Sequence, residues 1–136
     1  MSWEAYNPNP YGIRVGDCVI RAICAAMDMD WDEAYTSLSL EGYVMGDMPS
    51  SNAVWGAYLK RNGFVQETIP KTCPNCYTLS DFAHDYPNGV YVVALDGHVA
   101  TVKDGVIYDS WDSSNEIPLY FWQSTDREEK TDEERS

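Results

Sequence analysis

The chain has 136 residues and is strongly acidic, with 22 Asp and Glu against 9 Lys and Arg and a formal net charge of -13 at pH 7. This charge excludes nucleic-acid binding by phosphate neutralisation, which needs an excess of Lys and Arg, and it disfavours an anionic membrane surface. Because 44% of the residues are hydrophobic and 13% are aromatic, the chain can build a packed core, and its length predicts one domain.

We predict that the domain covers residues 1–123 and that an acidic, disordered tail covers residues 124–136. The run from Asp126 to Arg135 holds charged side chains and one Thr, a composition that cannot build a core. No stretch approaches the ~20 apolar residues of a membrane span, and the N-terminus lacks the basic and apolar regions of an export signal. We therefore expect a cytoplasmic protein with reduced cysteines.

Apolar residues at helical spacing predict four helices in the first two thirds of the chain. Asp17 is a suitable N-cap for the first of them, and Asp30 with Glu33 resembles a capping box at the start of the second. The predicted helices are Cys18–Met27, a helix from Asp30 through Leu38, a helix between Ser51 and Gly63, and a short helix between Thr78 and Pro87.

After Gly89 the pattern changes from helical to extended and predicts an antiparallel sheet. The predicted strands are Val90–Leu95, His98–Lys103, Val106–Trp111 and Ile117–Trp122. Pro118 cannot donate to a ladder, so it predicts that the last strand lies at an edge. Helices followed by an antiparallel sheet predict an α+β domain.

The Asp104-Gly105 pair predicts a two-residue hairpin turn, which fixes the register of the strands on either side. The register pairs Lys103 with Val106, Val102 with Ile107, Ala100 with Asp109 and His98 with Trp111. Because side chains alternate between faces, His98, Asp109 and Trp111 emerge on the same side of the sheet. His98 and Asp109 are then diagonal neighbours at ~7–8 Å, which an imidazole and a carboxylate can bridge.

Cys18 lies in the first turn of its predicted helix, where free backbone N–H groups and the helix dipole favour a thiolate. The same N–H groups can stabilise an oxyanion. A carboxylate that fixes the tautomer of a histidine completes the requirements of acyl transfer. The residues therefore predict a catalytic triad of Cys18, His98 and Asp109.

This arrangement resembles the papain-like cysteine peptidases, in which the order along the chain is Cys, His, then Asn or Asp. Asp109-Ser110-Trp111 matches the Asn-Ser-Trp of papain-type enzymes with Asp for Asn, and Asp17-Cys18 is similar to the peptidase domains that process bacteriocin leaders. The resemblance implies a papain-like fold, with N-terminal helices packed on the sheet. It also implies that Trp111 shields the His98–Asp109 hydrogen bond and that Asp17 supports the nucleophile.

The chain departs from the papain pattern in two ways. It has no Gln before Cys18 to complete the oxyanion hole, so Asn9 or Asn7 is the available amide donor, although Asn-Pro-Asn-Pro can equally form turns. It is also shorter than papain, so we expect a shallow site. Segments such as residues 16–21, 48–56 and 97–102 are similar to small proteins of gut Firmicutes and their phages, and this resemblance brings no known activity with it.

Cys73 and Cys76 have the spacing of half a zinc site, and the sequence has no second pair. Zinc shared with His84 or with a second subunit is one interpretation, and a loop or turn is the other. His84 also competes as a general base, but its position suits the C-terminal turn of a helix. We expect no cofactor.

The leading hypothesis is a thiol hydrolase that cleaves a peptide or isopeptide bond. A transglutaminase-type acyl transferase would use the same residues. The alternatives from other classes are a papain-like binding module, for instance a phage protein that engages a host protein, and a zinc-stabilised interaction protein. Because the acidity belongs largely to the folded part, we expect a basic peptide or protein as substrate or partner.

Overall fold

The computed structural model describes residues 2–11, 17–69 and 77–125, and within these ranges the protein is an α+β domain. Its four helices are α1 (Cys18–Met27), α2 (Trp31–Met45), α3 (Asn52–Arg61) and α4 (Leu79–Asp85). Its six strands are β1 (Ser2–Ala5), β2 (Phe64–Thr68), β3 (Val90–Leu95), β4 (His98–Lys103), β5 (Val106–Asp109) and β6 (Tyr120–Ser124). None of the helices in the described ranges has the length and apolar content needed to cross a bilayer.

The strands form one mixed sheet in the order β1-β5-β4-β3-β6-β2. β1 runs parallel to β5 and the other pairs are antiparallel. The predicted antiparallel pairing of the C-terminal strands is therefore confirmed, but the sheet as a whole is mixed because the N-terminal strand β1 joins it in parallel. Sequence reasoning missed β1 and β2 because each is short and lies beside helical or turn-rich segments. These two strands form the two edges of the sheet.

The prediction that the last strand lies at an edge is wrong. β6 pairs with β3 on one side and with β2 on the other. Pro118 precedes the strand, which begins only at Tyr120, so its missing N–H does not interrupt either ladder. β6 ends at Ser124, and residues 126–136 of the predicted tail lie outside the described residues.

The sheet separates two apolar clusters because side chains alternate along its strands. Val92 and Ala94 of β3 pack with α1, α2 and α3, whereas Tyr91, Val93 and Leu95 face the cluster that contains α4. The helices are therefore divided between both faces of the sheet. The larger layer, with α1, carries the predicted nucleophile.

The predicted helix starts are confirmed, and one helix is longer than predicted. Asp30 accepts a hydrogen bond from Glu33 N at the start of α2, and Thr78 with Asp81 forms a complete capping box at the start of α4. α2 continues past Leu38 to Met45 and ends where Gly46 adopts a left-handed conformation at φ 72°.

Two local features place the functional side chains at one end of the sheet. Asp104 (φ 51°) and Gly105 (φ 81°) form the tight turn, and the predicted register is confirmed at the three pairs nearest the turn. His98 therefore begins β4 at the same end of the sheet at which Asp109 completes β5. α1 packs across β4 and is fixed there by a hydrogen bond of 2.7 Å from Thr101 Oγ1 to the Ala22 carbonyl.

Candidate active site

The structure brings Cys18, His98 and Asp109 together. His98 Nε2 lies 2.6 Å from Asp109 Oδ2, and the two residues are 6% and 2% exposed. Cys18, the first residue of α1, lines the same cavity as His98, and its interaction with His98 lowers the pKa of its thiol. Since Asp109 occupies Nε2, Nδ1 is the ring nitrogen that remains for the thiol. The expected juxtaposition of strand and helix residues is therefore present.

The electrostatics of this cluster favour a thiolate–imidazolium pair. Burial raises the pKa of Cys18, but the interaction with His98, the Val99 backbone and the charge of Arg21 together outweigh burial and bring the pKa below that of an ordinary thiol. Burial lowers the pKa of His98, but its hydrogen bond to Asp109 and its interactions with the negative charges of Asp109 and Cys18 outweigh burial and raise the pKa to about 9. Each group stabilises the charged form of the other.

Cys24 lies on the same helix as Cys18 but away from His98 and Asp109, and its pKa is shifted in the opposite direction. It lies in the core at 1% exposure, and burial together with the negative charges of Asp30 and Asp17 raises its pKa to about 12. The pKa values of the two cysteines on α1 are thus shifted in opposite directions, and the difference comes from their neighbours.

Asp109 is held by hydrogen-bond donors on both oxygens. Oδ2 accepts from Ser113 Oγ at 2.7 Å in addition to His98, and Oδ1 accepts from Ser110 N at 2.7 Å. The Arg21 guanidinium lies 3.7 Å from Oδ1. Sequence reasoning missed Ser113 and Arg21; the one available signal was a charged residue at position 21 within an apolar helical stretch.

Trp111 covers the histidine, as the resemblance implied. Its ring stacks on the His98 ring with centroids 4.1 Å apart and an interplanar angle of 25°. Trp111 itself remains 40% exposed, so it forms the outer wall of the His98–Asp109 pair and separates that pair from water.

Asp17 occupies the N-cap position of α1, but its side chain does not cap the helix. Its carboxylate instead forms an ion pair with Arg21 and accepts a hydrogen bond of 2.8 Å from Trp31 Nε1. The prediction of side-chain capping is therefore wrong, because a buried guanidinium and an indole compete for the same carboxylate. The Asp17 carboxylate is consequently not a partner of the first-turn N–H groups near Cys18.

Asn7 and Asn9, the predicted oxyanion donors, use their side-chain carbonyls to close local turns. Asn7 Oδ1 accepts from Asn9 N at 3.2 Å, and Asn9 Oδ1 accepts from Tyr11 N at 2.8 Å. Asn9 is buried and lines a cavity of about 420 Å³ together with Asp17. Asn9 is not among the residues that line the cavity at Cys18 and His98. Its role as an oxyanion donor stays a prediction.

Cys18 and His98 open onto a second cavity of about 320 Å³, which we call the cleft. Its remaining lining residues are Val19, Ser50, Asn52, Trp55, Ala94, Leu95, Gly97, Val99, Leu119 and Tyr120. This lining is mainly apolar and aromatic, and it contains no Asp or Glu. The acidic character of the chain therefore lies outside the described walls of the cleft.

Cys73 and Cys76, the weak metal candidates, lie outside the described residues. Within the described ranges, no cluster of three or more His, Cys, Asp or Glu side chains could hold a metal ion. His84 lies exposed in the last turn of α4, the position predicted for it. His84 lies on α4, and α4 contributes no residue to the lining of the cleft.

Comparison of the chain with protein-family models, with curated proteins and with solved structures finds no match.

Proposed function

We propose that the protein is a thiol hydrolase that cleaves a peptide or isopeptide bond, with Cys18 as nucleophile, His98 as general base and acid, and Asp109 as the residue that orients His98. The observation that carries this proposal is the hydrogen bond between Asp109 and His98 beside a cavity that His98 and Cys18 line together. This arrangement joins a helix start to two strand ends, a constellation with the geometry of nucleophile, base and orienter.

The reaction begins with the Cys18 thiolate attacking the carbonyl carbon of the substrate. The resulting oxyanion accepts hydrogen bonds from backbone N–H groups at the start of α1. Protonated His98 gives its proton to the leaving amine, and the C–N bond breaks to leave a thioester on Cys18. His98 then takes a proton from water, the hydroxide attacks the thioester, and a carboxylate and the free thiol are released.

The papain-like fold is part of this proposal. It is supported by Cys18 at the first position of a long helix packed on a sheet and by His98 at the beginning of a strand. The position of Asp109 at the end of the next strand and the stacking of Trp111 on His98 support it further. In addition to these features, this chain has α4 packed on the opposite face of a mixed sheet.

The test uses a proteome-derived peptide library at pH 7, with new termini identified by mass spectrometry. We expect cleavage by the wild type, no cleavage by Cys18→Ser, and unchanged cleavage by Cys24→Ala, which alters a thiol on the same helix outside the site. A parallel reaction with an added primary amine separates the two acyl-transfer outcomes, because a transferase links the amine to the peptide.

The proposal fails if wild type and Cys18→Ser give the same peptide products. It also fails if iodoacetamide labels Cys18 with the pH dependence of an ordinary thiol and His98→Ala leaves that dependence unchanged. Either result would leave the fold as a scaffold for binding, with the cleft as its recognition surface.

A further inference from the structure

Arg21 connects the nucleophile helix to the acid of the triad. It lies one turn after Cys18 on α1 and is only 5% exposed. One guanidinium nitrogen pairs with Asp17, and another lies 3.7 Å from Asp109 Oδ1. A buried guanidinium is costly unless it is paired, and here two buried carboxylates flank it.

The charge balance of the site depends on this residue. Asp17 and Asp109 contribute two negative charges, and the proposed thiolate of Cys18 adds a third, against the positive charges of protonated His98 and Arg21. The positive charges of His98 on β4 and, to a smaller extent, of Arg21 on α1 both lower the pKa of the Cys18 thiol. Without Arg21, the thiolate would form near two carboxylates with one counter-charge.

Arg21 also has the geometry of an orienting group. Asp109 Oδ2 faces His98 and Ser113, whereas Oδ1 faces Ser110 N and Arg21. The guanidinium therefore restrains the rotation of the carboxylate that holds the imidazole. Because Arg21 sits on the same helix as Cys18, a shift of α1 would move the nucleophile and this restraint together.

We propose that Arg21 is a positioning residue, which joins the start of α1 to Asp109 and supplies the second positive charge that maintains the Cys18 thiolate. This inference rests on the proposed function, since it assigns a role within the same site.

The test measures iodoacetamide labelling of Cys18 against pH, with each cysteine quantified by peptide mapping. Arg21→Met should move the midpoint of labelling upward by about 1 pH unit, which is about tenfold in rate near pH 6, while the rate at high pH is unchanged. Arg21→Lys should restore part of the shift. Asp17→Asn, which removes a negative charge and keeps the shape, should move the midpoint in the opposite direction.

These opposite signs distinguish an electrostatic role from loosening of the fold. If Arg21 had only a structural role, the labelling midpoints of Arg21→Met and Asp17→Asn would both shift toward that of an ordinary thiol. That result would overturn the inference. A low wild-type midpoint that Arg21→Met leaves unchanged would also overturn it, without affecting the proposed function. A wild-type midpoint equal to that of an ordinary thiol would overturn the proposed function and the inference together.

Discussion

The replacement Asp109→Asn tests why this chain has a carboxylate where papain-type enzymes have an amide. All the groups that approach the Asp109 carboxylate are donors: His98 Nε2, Ser113 Oγ, Ser110 N and the Arg21 guanidinium. An amide has one acceptor oxygen and one NH₂ donor, so in Asp109→Asn the NH₂ group must face groups that are themselves donors.

Only one orientation of the amide can be accommodated. With its NH₂ toward Ser110 N and Arg21, the amide meets two groups that cannot accept a hydrogen bond. With its NH₂ toward Ser113 and His98, the Ser113 hydroxyl can rotate to accept, and His98 can accept only through an unprotonated Nε2. The ring proton then lies on Nδ1, so His98 cannot take a proton from Cys18.

The structure sets the size of both effects. Three hydrogen bonds of 2.6–2.7 Å change from charge-assisted to neutral. Charge-assisted bonds contribute about 1.5–3 kcal/mol and neutral ones about 0.5–1.5 kcal/mol, so we expect a loss of about 3 kcal/mol in the free energy of unfolding at pH 7. Loss of the general base should reduce the hydrolysis rate by a factor on the order of 10²–10⁴.

The tautomer can be observed directly by nitrogen NMR of protein labelled at histidine, because the chain has only His84 and His98. The wild type should show an imidazolium signal for His98 that persists to about pH 9. Asp109→Asn should instead show a neutral ring protonated on Nδ1 at pH 7. Asp112→Asn, which changes an exposed carboxylate close by, is the matched control. An imidazolium that survives above pH 8 in Asp109→Asn would refute the reasoning.

Three further predictions concern the surroundings of the triad. Thr101→Val should lower the free energy of unfolding by about 0.5–1.5 kcal/mol in urea titrations, because it removes the buried 2.7 Å hydrogen bond to the Ala22 carbonyl, and Thr101→Ser should retain most of the stability. Trp111→Ala should speed hydrogen exchange of the His98 ring N–H severalfold by NMR, since it removes the ring stacked at 4.1 Å; an unchanged rate would mean that Trp111 does not exclude water. In Cys18→Ser, His98 keeps its carboxylate partner, so its folded pKa stays above the unfolded value of about 6.5. Its stabilisation is then complete below pH 6.5 and is lost as the pH rises through the folded pKa, which is about 9 when the thiol is present. The Tm of this variant should therefore fall over that interval relative to the same variant with His98→Gln, and parallel curves would contradict the prediction.

The central geometry of the candidate site could be predicted because it follows from local rules. The turn at Asp104 and Gly105 needs positive φ at both residues, and that turn fixes which side chains share a face. His98 and Asp109 then meet by strand alternation, without any knowledge of the rest of the fold. Cys18 was placed by a separate local rule, the start of a helix.

The surroundings of the site could not be predicted because they depend on how the layers pack. Arg21 lies on the apolar side of α1, and no local pattern indicates that it reaches a carboxylate on β5. The position of Asp17 predicts a helix cap, but its carboxylate binds Arg21 and Trp31 instead. The edge strands β1 and β2 have short sequences whose conformation is decided by the strands that they join.

The order of the triad along the chain has a consequence for biosynthesis. Cys18 is synthesised long before His98, and β6, which lies between β3 and β2, is made after both. Until β4 docks on α1, Cys18 lacks the interaction with His98 that lowers the pKa of its thiol. We therefore expect the Cys18 thiol of a nascent or misfolded chain to have the pKa of an ordinary thiol. The low pKa develops only once β4 has docked on α1.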